Sequence, residues 1–319
     1  MHFNTTPSLS STLFPSSSTP TTRYSRWLHH HFTLSCLYHP MIKLSRRQSL
    51  KALLVAAPAA AVANAFLIEP NRLSITRREI TLPNLDPSLD GLTIAQITDL
   101  HFKPGTDDAL MQKLVATVNQ ENVDIIALTG DYVTDDPSVL PPLIEHLKQL
   151  QATHSITAVL GNHDGWSSSR AFYRKHFEAA NINLLINQNT QLHIKGSPLY
   201  LAGSDYVWFG TPNASETLKN IPSNAPFVAL VHEPDYFDNM RAVRNIGLQL
   251  SGHTHGGQCR VPFLGYAPVT VEYGKNYIYG DYQVDASQLF VSRGTGTSGL
   301  RVRFACPPEL VIFTLRSPA

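Results

Sequence analysis

Gly252-His253-Thr254-His255-Gly256-Gly257-Gln258 is entered from the apolar run Ile246-Gly247-Leu248-Gln249-Leu250. Two histidines one residue apart share one small volume if the chain turns between them, and the flanking glycines permit that turn. Alone, the stretch reads equally well as an ordinary polar loop. Four other clusters decide the matter. Asp99-Leu100-His101 follows the run 92–98, Gly130-Asp131-Tyr132 follows 124–129, Gly161-Asn162-His163-Asp164 follows 156–160, and His232-Glu233-Pro234 follows 226–231. Each stands at the carboxyl end of a short stretch rich in Val, Ile, Leu and Ala, where open α/β sheets place their ligand crevice. Five strand ends carrying Asp, Asn and His together are not core filler.

Outward from these clusters, helical spacing predicts helices over 107–122, 139–150 (with Pro141-Pro142 near its first turn) and 167–180. Strand, helix, strand, helix, strand implies parallel pairing with right-handed crossovers. A short strand is expected at 182–185, a hairpin of 191–194 with 199–202 across Gly196-Ser197, and short helices at 214–218 and 236–243. Strands at 228–231, 248–251, 288–292 and 309–315 complete the reading. Residues 66–90 form a lead-in with an edge strand at 77–82, and one layered α/β domain of two sheets runs over 91–319.

The 43% apolar content is ample for a core. A formal charge of +1 hides an asymmetry, because all 24 acidic residues lie beyond residue 65 and six of the 25 basic ones precede it. Residues 66–319 therefore carry 19 basic and 24 acidic side chains, net −5. That balance gives nucleic acid no electrostatic encouragement, and no nucleic-acid recognition is expected. Cys36, Cys259 and Cys306 form no close-spaced metal motif; Cys259 and Cys306 are either a bridged pair or two buried thiols.

Residues 1–40 are rich in Ser, Thr, Pro and His, contain no acid and show no periodicity. They read as a disordered extension or as sequence translated from a start codon chosen too early. From Met41 the order is basic Met-Ile-Lys-Leu-Ser-Arg-Arg-Gln-Ser-Leu-Lys, the apolar run 52–63, then Ala63-Asn64-Ala65. This is the order of a secretory signal over 41–65, and Arg46-Arg47 resembles a twin-arginine export signal. The apolar run of about a dozen residues is short of the roughly 20 that span a bilayer. The expectations are export by the twin-arginine machinery, a mature chain starting near Phe66, and a periplasmic site or the outer face of the cytoplasmic membrane, with peripheral membrane contact.

The five clusters, in this order, resemble the calcineurin-like metallophosphoesterases over residues 92–315. Gly-Gly-Gln-Cys-Arg-Val-Pro at 256–262, Ser-Arg-Gly-Thr-Gly-Thr at 292–297 and the twin-arginine leader resemble, more narrowly, the YaeI/YkuE-type phosphodiesterases. The resemblance implies a four-layer αββα sandwich with mixed sheets and a dinuclear centre. It implies that Asp99, His101 and His255 hold one metal, that Asn162, His232 and His253 hold the other, and that Asp131 bridges them. Imidazole with carboxylate independently suits divalent or trivalent Mn, Fe or Zn. Two such ions about 3.5 to 4 Å apart grip phosphate oxygens and supply a bridging hydroxide near neutral pH. His163, supported by Asp99, is implied as the group that stabilises the phosphoryl oxygens or protonates the leaving group.

Other residues stay open between two readings. Asp164 either orients the site or caps the helix beginning near Ser167. Arg293 is the first choice to hold a phosphate oxygen beside Asn162 and His163, with Arg260, Arg301 and Arg303 as further candidates. Surface solubility is the alternative, above all for Arg301 and Arg303 on one strand face. Tyr206-Val207-Trp208-Phe209 is a satellite core under a loop, a pocket wall or a lipid contact. The expected activity is phosphodiester hydrolysis on a small-molecule or lipid-linked substrate. Its rivals are a pyrophosphatase acting on nucleotide-linked lipids and a catalytically silent metal-binding protein.

Overall fold

A computed structural model describes residues 45–268 and 270–319; the expectations for residues 1–40, and the first four residues of the signal segment expected over 41–65, lie outside them. Alternating apolar runs and amphipathic segments resolve into two six-stranded mixed sheets. The first has the order β1 (Ser74–Thr81), β12 (Glu309–Arg316), β2 (Thr93–Ile97), β3 (Ile125–Thr129), β4 (Ser155–Val159) and β5 (Asn183–Leu184). The second runs β10 (Gly280–Val284), β11 (Ser287–Val291), β9 (Leu248–Ser251), β8 (Phe227–Leu230), β7 (Ser197–Gly203) and β6 (Gln188–Ile194). β2 to β5 pair in parallel, as do β7, β8, β9 and β11, while β12 meets β2 antiparallel.

Three apolar clusters explain the layering. Ile94, Ile125, Val228, Leu250, Phe290 and Phe313 meet between the two sheets. The outer face of the first sheet is covered by α2 (Asp108–Gln120), α3 (Leu140–Leu147) and α5 (Arg170–Glu178), which bury Leu114, Leu143 and Phe177. The outer face of the second is covered by α6 (Ala214–Thr217) and α7 (Phe237–Val243) through Leu218, Phe237 and Met240. Helix, sheet, sheet, helix is the expected four-layer sandwich. The central parallel strands β3 and β8 are wholly buried, so their sequences read as continuous apolar runs, not alternations.

Three elements differ from expectation. β10 reads Gly-Asp-Tyr-Gln-Val and is half exposed, so it lacks the apolar signal of its neighbours. The predicted helix over 167–180 begins earlier as a separate turn, α4 (Asn162–Ser167), before α5. The apolar run at 52–63 belongs to α1 (Arg46–Ala63), whose helical path continues through a π-turn and a 3-10 turn to Asn71. The 26 residues Arg46–Asn71 are long and apolar enough to cross a membrane. Leu and Ala carry the helix well beyond the purely apolar stretch on both sides.

Candidate metal centre

All five clusters meet at one end of the sandwich because parallel strands of both sheets end there. Asp99, His101, Asp131, Asn162, His232, His253 and His255 are each 5% exposed or less. Ligand atoms of Asp99, His101 and His255 lie within 4.8 Å of one another, as do those of Asp131, His232 and His253. A third such group, His101, Asp131 and His163, joins the first two. Nε2 of His101 and of His232 approach the same oxygen, Asp131 Oδ2, at 3.4 and 3.1 Å. His255 Nε2 stands 3.4 Å from Asp99 Oδ1 and 3.1 Å from His101 Nε2.

The backbone holds these side chains at a cost. Asp99, His101, Asp131, His253 and His255 all have positive φ, between 41° and 71°. Non-glycine residues take that region at a penalty on the order of 1 kcal/mol or more each, and such strain clusters where geometry serves function. Two glycines make the close approach possible. A Cβ on Gly252 would collide with Asp99 Oδ2 and Thr98 Oγ1, and one on Gly161 with Asp131 Oδ1.

Far ring nitrogens fix the histidines. His232 Nδ1 lies 2.7 Å from the Thr129 carbonyl, His253 Nε2 2.6 Å from that of Glu272, and His101 Nδ1 3.2 Å from Thr134 Oγ1. A carbonyl accepts only from N–H, so His232 turns a lone pair at Nε2 to the cluster and His253 one at Nδ1. Anchoring the second nitrogen in this way is how ligating histidines are oriented. Asp99 Oδ2, Asn162 Oδ1 and His232 Nε2 are buried yet have no hydrogen-bond partner. Buried polar atoms normally find one, so these three, with no thiolate in the set, fit a pair of borderline cations.

A family model described as calcineurin-like phosphoesterase matches residues 92–257, just over half of the chain. The chain belongs to this family. It is 32% identical to the metallophosphoesterase YkuE of Bacillus subtilis (strain 168) over 87% of its own length and 99% of that protein. It is 32% identical to the phosphodiesterase YaeI of Escherichia coli (strain K12), over 69% of this chain and 80% of that one. The metallophosphoesterase Cj0846 of Campylobacter jejuni is 29% identical over 88% of this chain and 72% of the relative. The His and Asp groups and the family together make the protein a metal-dependent hydrolase with a dinuclear type of centre.

Around this calcineurin-like centre the electrostatics favour a cation. Burial alone would raise the Asp131 carboxyl, but His232 and His101 hold it well below the carboxylate range. Burial disfavours a charged His232, yet Asp131 and Asp99 outweigh it and push that ring well above its usual value. A proton there occupies the field that a metal would otherwise fill. His253 falls to about 3, through burial and then the His232 charge, and His255 falls well below the usual value through burial and His101. Both are neutral, as ligands must be. Burial likewise lowers His163, whose ring is edge-on to His101 at 4.8 Å.

Asp164 does more than either expected role. Its carboxylate accepts from Gly161 N, Asp131 N and Tyr132 N at 2.8 to 2.9 Å, and at 3.3 Å from Val133 N, so it clamps the Asp131 loop to the start of α4. Burial and Asp131 raise it to about 7. Glu233, next to His232, is wholly buried. Its Oε1 accepts from Val207 N and Trp208 N at 2.9 and 3.0 Å, fixing an aromatic ridge beside the His and Asp cluster. On that ridge Trp166 lies 4.7 Å from His163 and 4.8 Å from Trp208, which is 6.3 Å from His253. Tyr206 is core, whereas Phe209 is 82% exposed.

Each of the four arginines is engaged by groups of the protein itself. Arg293 Nη2 pairs with buried Glu309 at 2.8 Å, also bonds Ser74 Oγ, and its guanidinium stacks on Tyr279. Arg303 is fully buried and donates to the carbonyls of Arg293, Gly294, Gly296 and Cys306. It thereby folds the 293–296 loop onto the site, where Gly296 N donates to Asp99 O at 2.7 Å. Arg301 pairs with Asp107 and Asn71, and Arg260 donates to the carbonyls of Gly256 and Gly265. Thr134, Glu272 and Glu309 were not singled out from sequence, because a carbonyl contact or a pairing partner 16 residues away leaves no local signature. Cys306 is buried and Cys259 half-buried, both as free thiols.

Proposed function

We propose that the chain is a dinuclear metal-dependent phosphodiesterase. The observation that carries this reading is the set of three orphaned buried atoms on Asp99, Asn162 and His232 around the doubly approached Asp131 carboxylate. Asp99, His101 and His255 would hold one ion, Asn162, His232 and His253 the other, with Asp131 shared. Bound there, Mn, Fe or Zn ions supply Lewis acidity to the phosphoryl group and hydroxide at neutral pH. Because all four candidate arginines are engaged within the protein, the remaining protein donors toward a phosphoryl oxygen are Asn162 and His163. His163 donates from Nδ1 to the Thr134 carbonyl at 2.7 Å, so Nε2 is the atom that would face a leaving oxygen, and it delivers a proton there only when the ring has first taken one up as the imidazolium.

The apolar ridge at Trp166, Trp208 and Phe209 favours one competing reading, a pyrophosphatase acting on nucleotide-linked lipids. Product analysis separates the two: a diesterase turns over bis(p-nitrophenyl) phosphate and leaves a nucleotide-diphosphate lipid intact. Preference of the metal-loaded protein for an aryl monoester would sink the diesterase reading, and an absence of turnover on every ester would leave a silent metal-binding protein.

Arg46-Arg47 at the start of α1 also suits export through the twin-arginine machinery, with the basic end inside and the metal site on the outer face of the membrane. Protease shaving of intact cells checks this, since a fully protected phosphoesterase domain contradicts it.

A further inference from the structure

Three segments form one layer beside His255. The π-turn and 3-10 turn that end the apolar helix dock there, with Ala65 O accepting from Arg303 N at 3.0 Å and Glu69 Oε1 from Cys306 N at 2.6 Å. Cys306 Sγ in turn donates to His255 O at 3.2 Å. The 256–266 excursion pairs with the same loop, Arg260 N to Phe304 O and Phe304 N to Gln258 O. The base of the apolar helix therefore lies two contacts from the metal centre.

What this layer shows to solvent is apolar. Phe263, Leu264 and Tyr266 are 107%, 79% and 62% exposed, and Leu300 is 73% exposed. Isolated exposed apolar residues need no explanation, but a tip of this kind beside another marks a contact surface. Phe263 and Phe209 are both held at positive φ, 67° and 64°, so the chain spends strain to present them. None of Leu50, Leu53, Leu54 and Val55 on α1 is buried either. A helix of 18 residues is about 27 Å long, close to the roughly 30 Å of a bilayer core.

We propose that α1 is retained as a membrane anchor and that the 261–266 tip dips into the same leaflet, so that the metal site and its aromatic ridge open at headgroup level onto membrane-resident phosphodiesters. The occupant of the apolar tip is the lipid bilayer, because the anchor leaves the fold beside that tip and fixes where the membrane must lie. Net charge of −5 over residues 66–319 gives no general attraction to anionic lipid, so the contact works through apolar side chains. Ala65, at the end of the signal-like segment, is buried, in keeping with an uncleaved helix. The substrate class rests on the phosphodiesterase reading; the docking does not.

The full chain reconstituted in dioleoylphosphatidylcholine vesicles tests both. The extra emission of Phe263→Trp over wild type should be quenched when the acyl chains carry bromine and spared by aqueous iodide. Quenching by iodide alone, or by neither, overturns the proposal, the first placing the tip in water and the second beneath a protein partner or a second copy. A Phe263→Ser/Leu264→Ser variant should keep its rate on bis(p-nitrophenyl) phosphate but lose about tenfold on a diacyl phosphodiester in the same vesicles. Equal rates for variant and wild type on the embedded ester overturn the tip's part in reaching it, and a wild type that hydrolyses bis(p-nitrophenyl) phosphate but not the embedded ester overturns the substrate class. If wild type hydrolyses neither ester, the phosphodiesterase reading fails, and the bromine result still decides the docking.

Discussion

The backbone N–H of His253 donates to Oδ1 of Asp99 at 2.8 Å, tying the last cluster of the sequence to the first across 154 positions. The bond joins the ends of β9 and β2, one from each sheet, and leaves Asp99 Oδ2 buried without a partner. A carboxylate so placed has one oxygen for architecture and one for a cation. Asp131 is built in the same way, with Oδ1 accepting His163 N at 3.0 Å and Oδ2 facing His101 and His232.

From that geometry, Asp131 is the costliest ligand to lose, since its Oδ2 faces histidines of both groups. Elemental analysis of Asp131→Asn beside His101→Ala should show the larger loss of metal and turnover in the aspartate variant. Two full equivalents of metal in both proteins would rule out a shared carboxylate.

Removing the metals should destabilise the fold. A ligand at about a thousandfold excess over its Kd contributes about 4 kcal/mol, which for a domain of this size moves Tm on the order of 10 °C. Differential scanning fluorimetry with and without chelator reads the shift, and reloading with Mn or Zn should restore it. An unchanged midpoint would mean that the orphaned atoms do not hold a cation.

The parts of this architecture that were legible in sequence are those where chemistry is concentrated at strand ends. Buried parallel strands give apolar runs, and a polar residue that interrupts the end of each run is conspicuous. Thr134 and Glu309 gave no such signal, since their work is done by a carbonyl or by a partner brought close only through the fold. Arg303 stays open in sequence between a phosphate contact and a surface residue, because a sequence cannot show that four loop carbonyls will surround its guanidinium. The helical segment Arg46–Asn71 is longer than its apolar centre at 52–63 suggests, because Ala and Leu propagate helix through flanks of mixed polarity.

Arg293 gives a prediction opposite to the one its sequence position suggests. Its side chain is 14% exposed and faces a Glu309 that is wholly buried. Arg293→Ala should therefore cost about 3 kcal/mol or more of stability by stranding that carboxylate, with KM for a diester nearly unchanged. Urea unfolding and steady-state kinetics on one preparation separate the effects. A large rise in KM at unaltered stability would place the guanidinium on the substrate.

Replacement of both Cys259 and Cys306 by serine should leave metal content intact, since neither thiol joins the His and Asp groups. Cys306 donates to the His255 carbonyl, so a modest loss of stability is expected there. Loss of one equivalent of metal on the double replacement would mean that a thiol ligates an ion.

His163 decides whether the centre is catalytic. Its Nδ1 is committed to the Thr134 carbonyl, its ring stands edge-on to His101 and it shares a ligand-sized group with His101 and Asp131. If Nε2 delivers the proton to the leaving oxygen, His163→Ala should keep both metals yet lower turnover by about 10²- to 10⁴-fold, the usual contribution of a general acid. The loss should depend on the leaving group. An alkoxide needs the proton, whereas a nitrophenolate leaves almost unaided, so the defect should be much larger for an alkyl phosphodiester than for bis(p-nitrophenyl) phosphate. Equal defects on both would assign His163 to stabilising charge on the phosphoryl oxygens, a task that delivers no proton. A metal count that falls by one in the variant would instead make His163 a ligand, consistent with its place in the third group but not with a role in proton transfer. The decisive measurement is kcat/KM on the two esters with metal content determined for each protein, and an unimpaired His163→Ala on both would remove the residue from the mechanism.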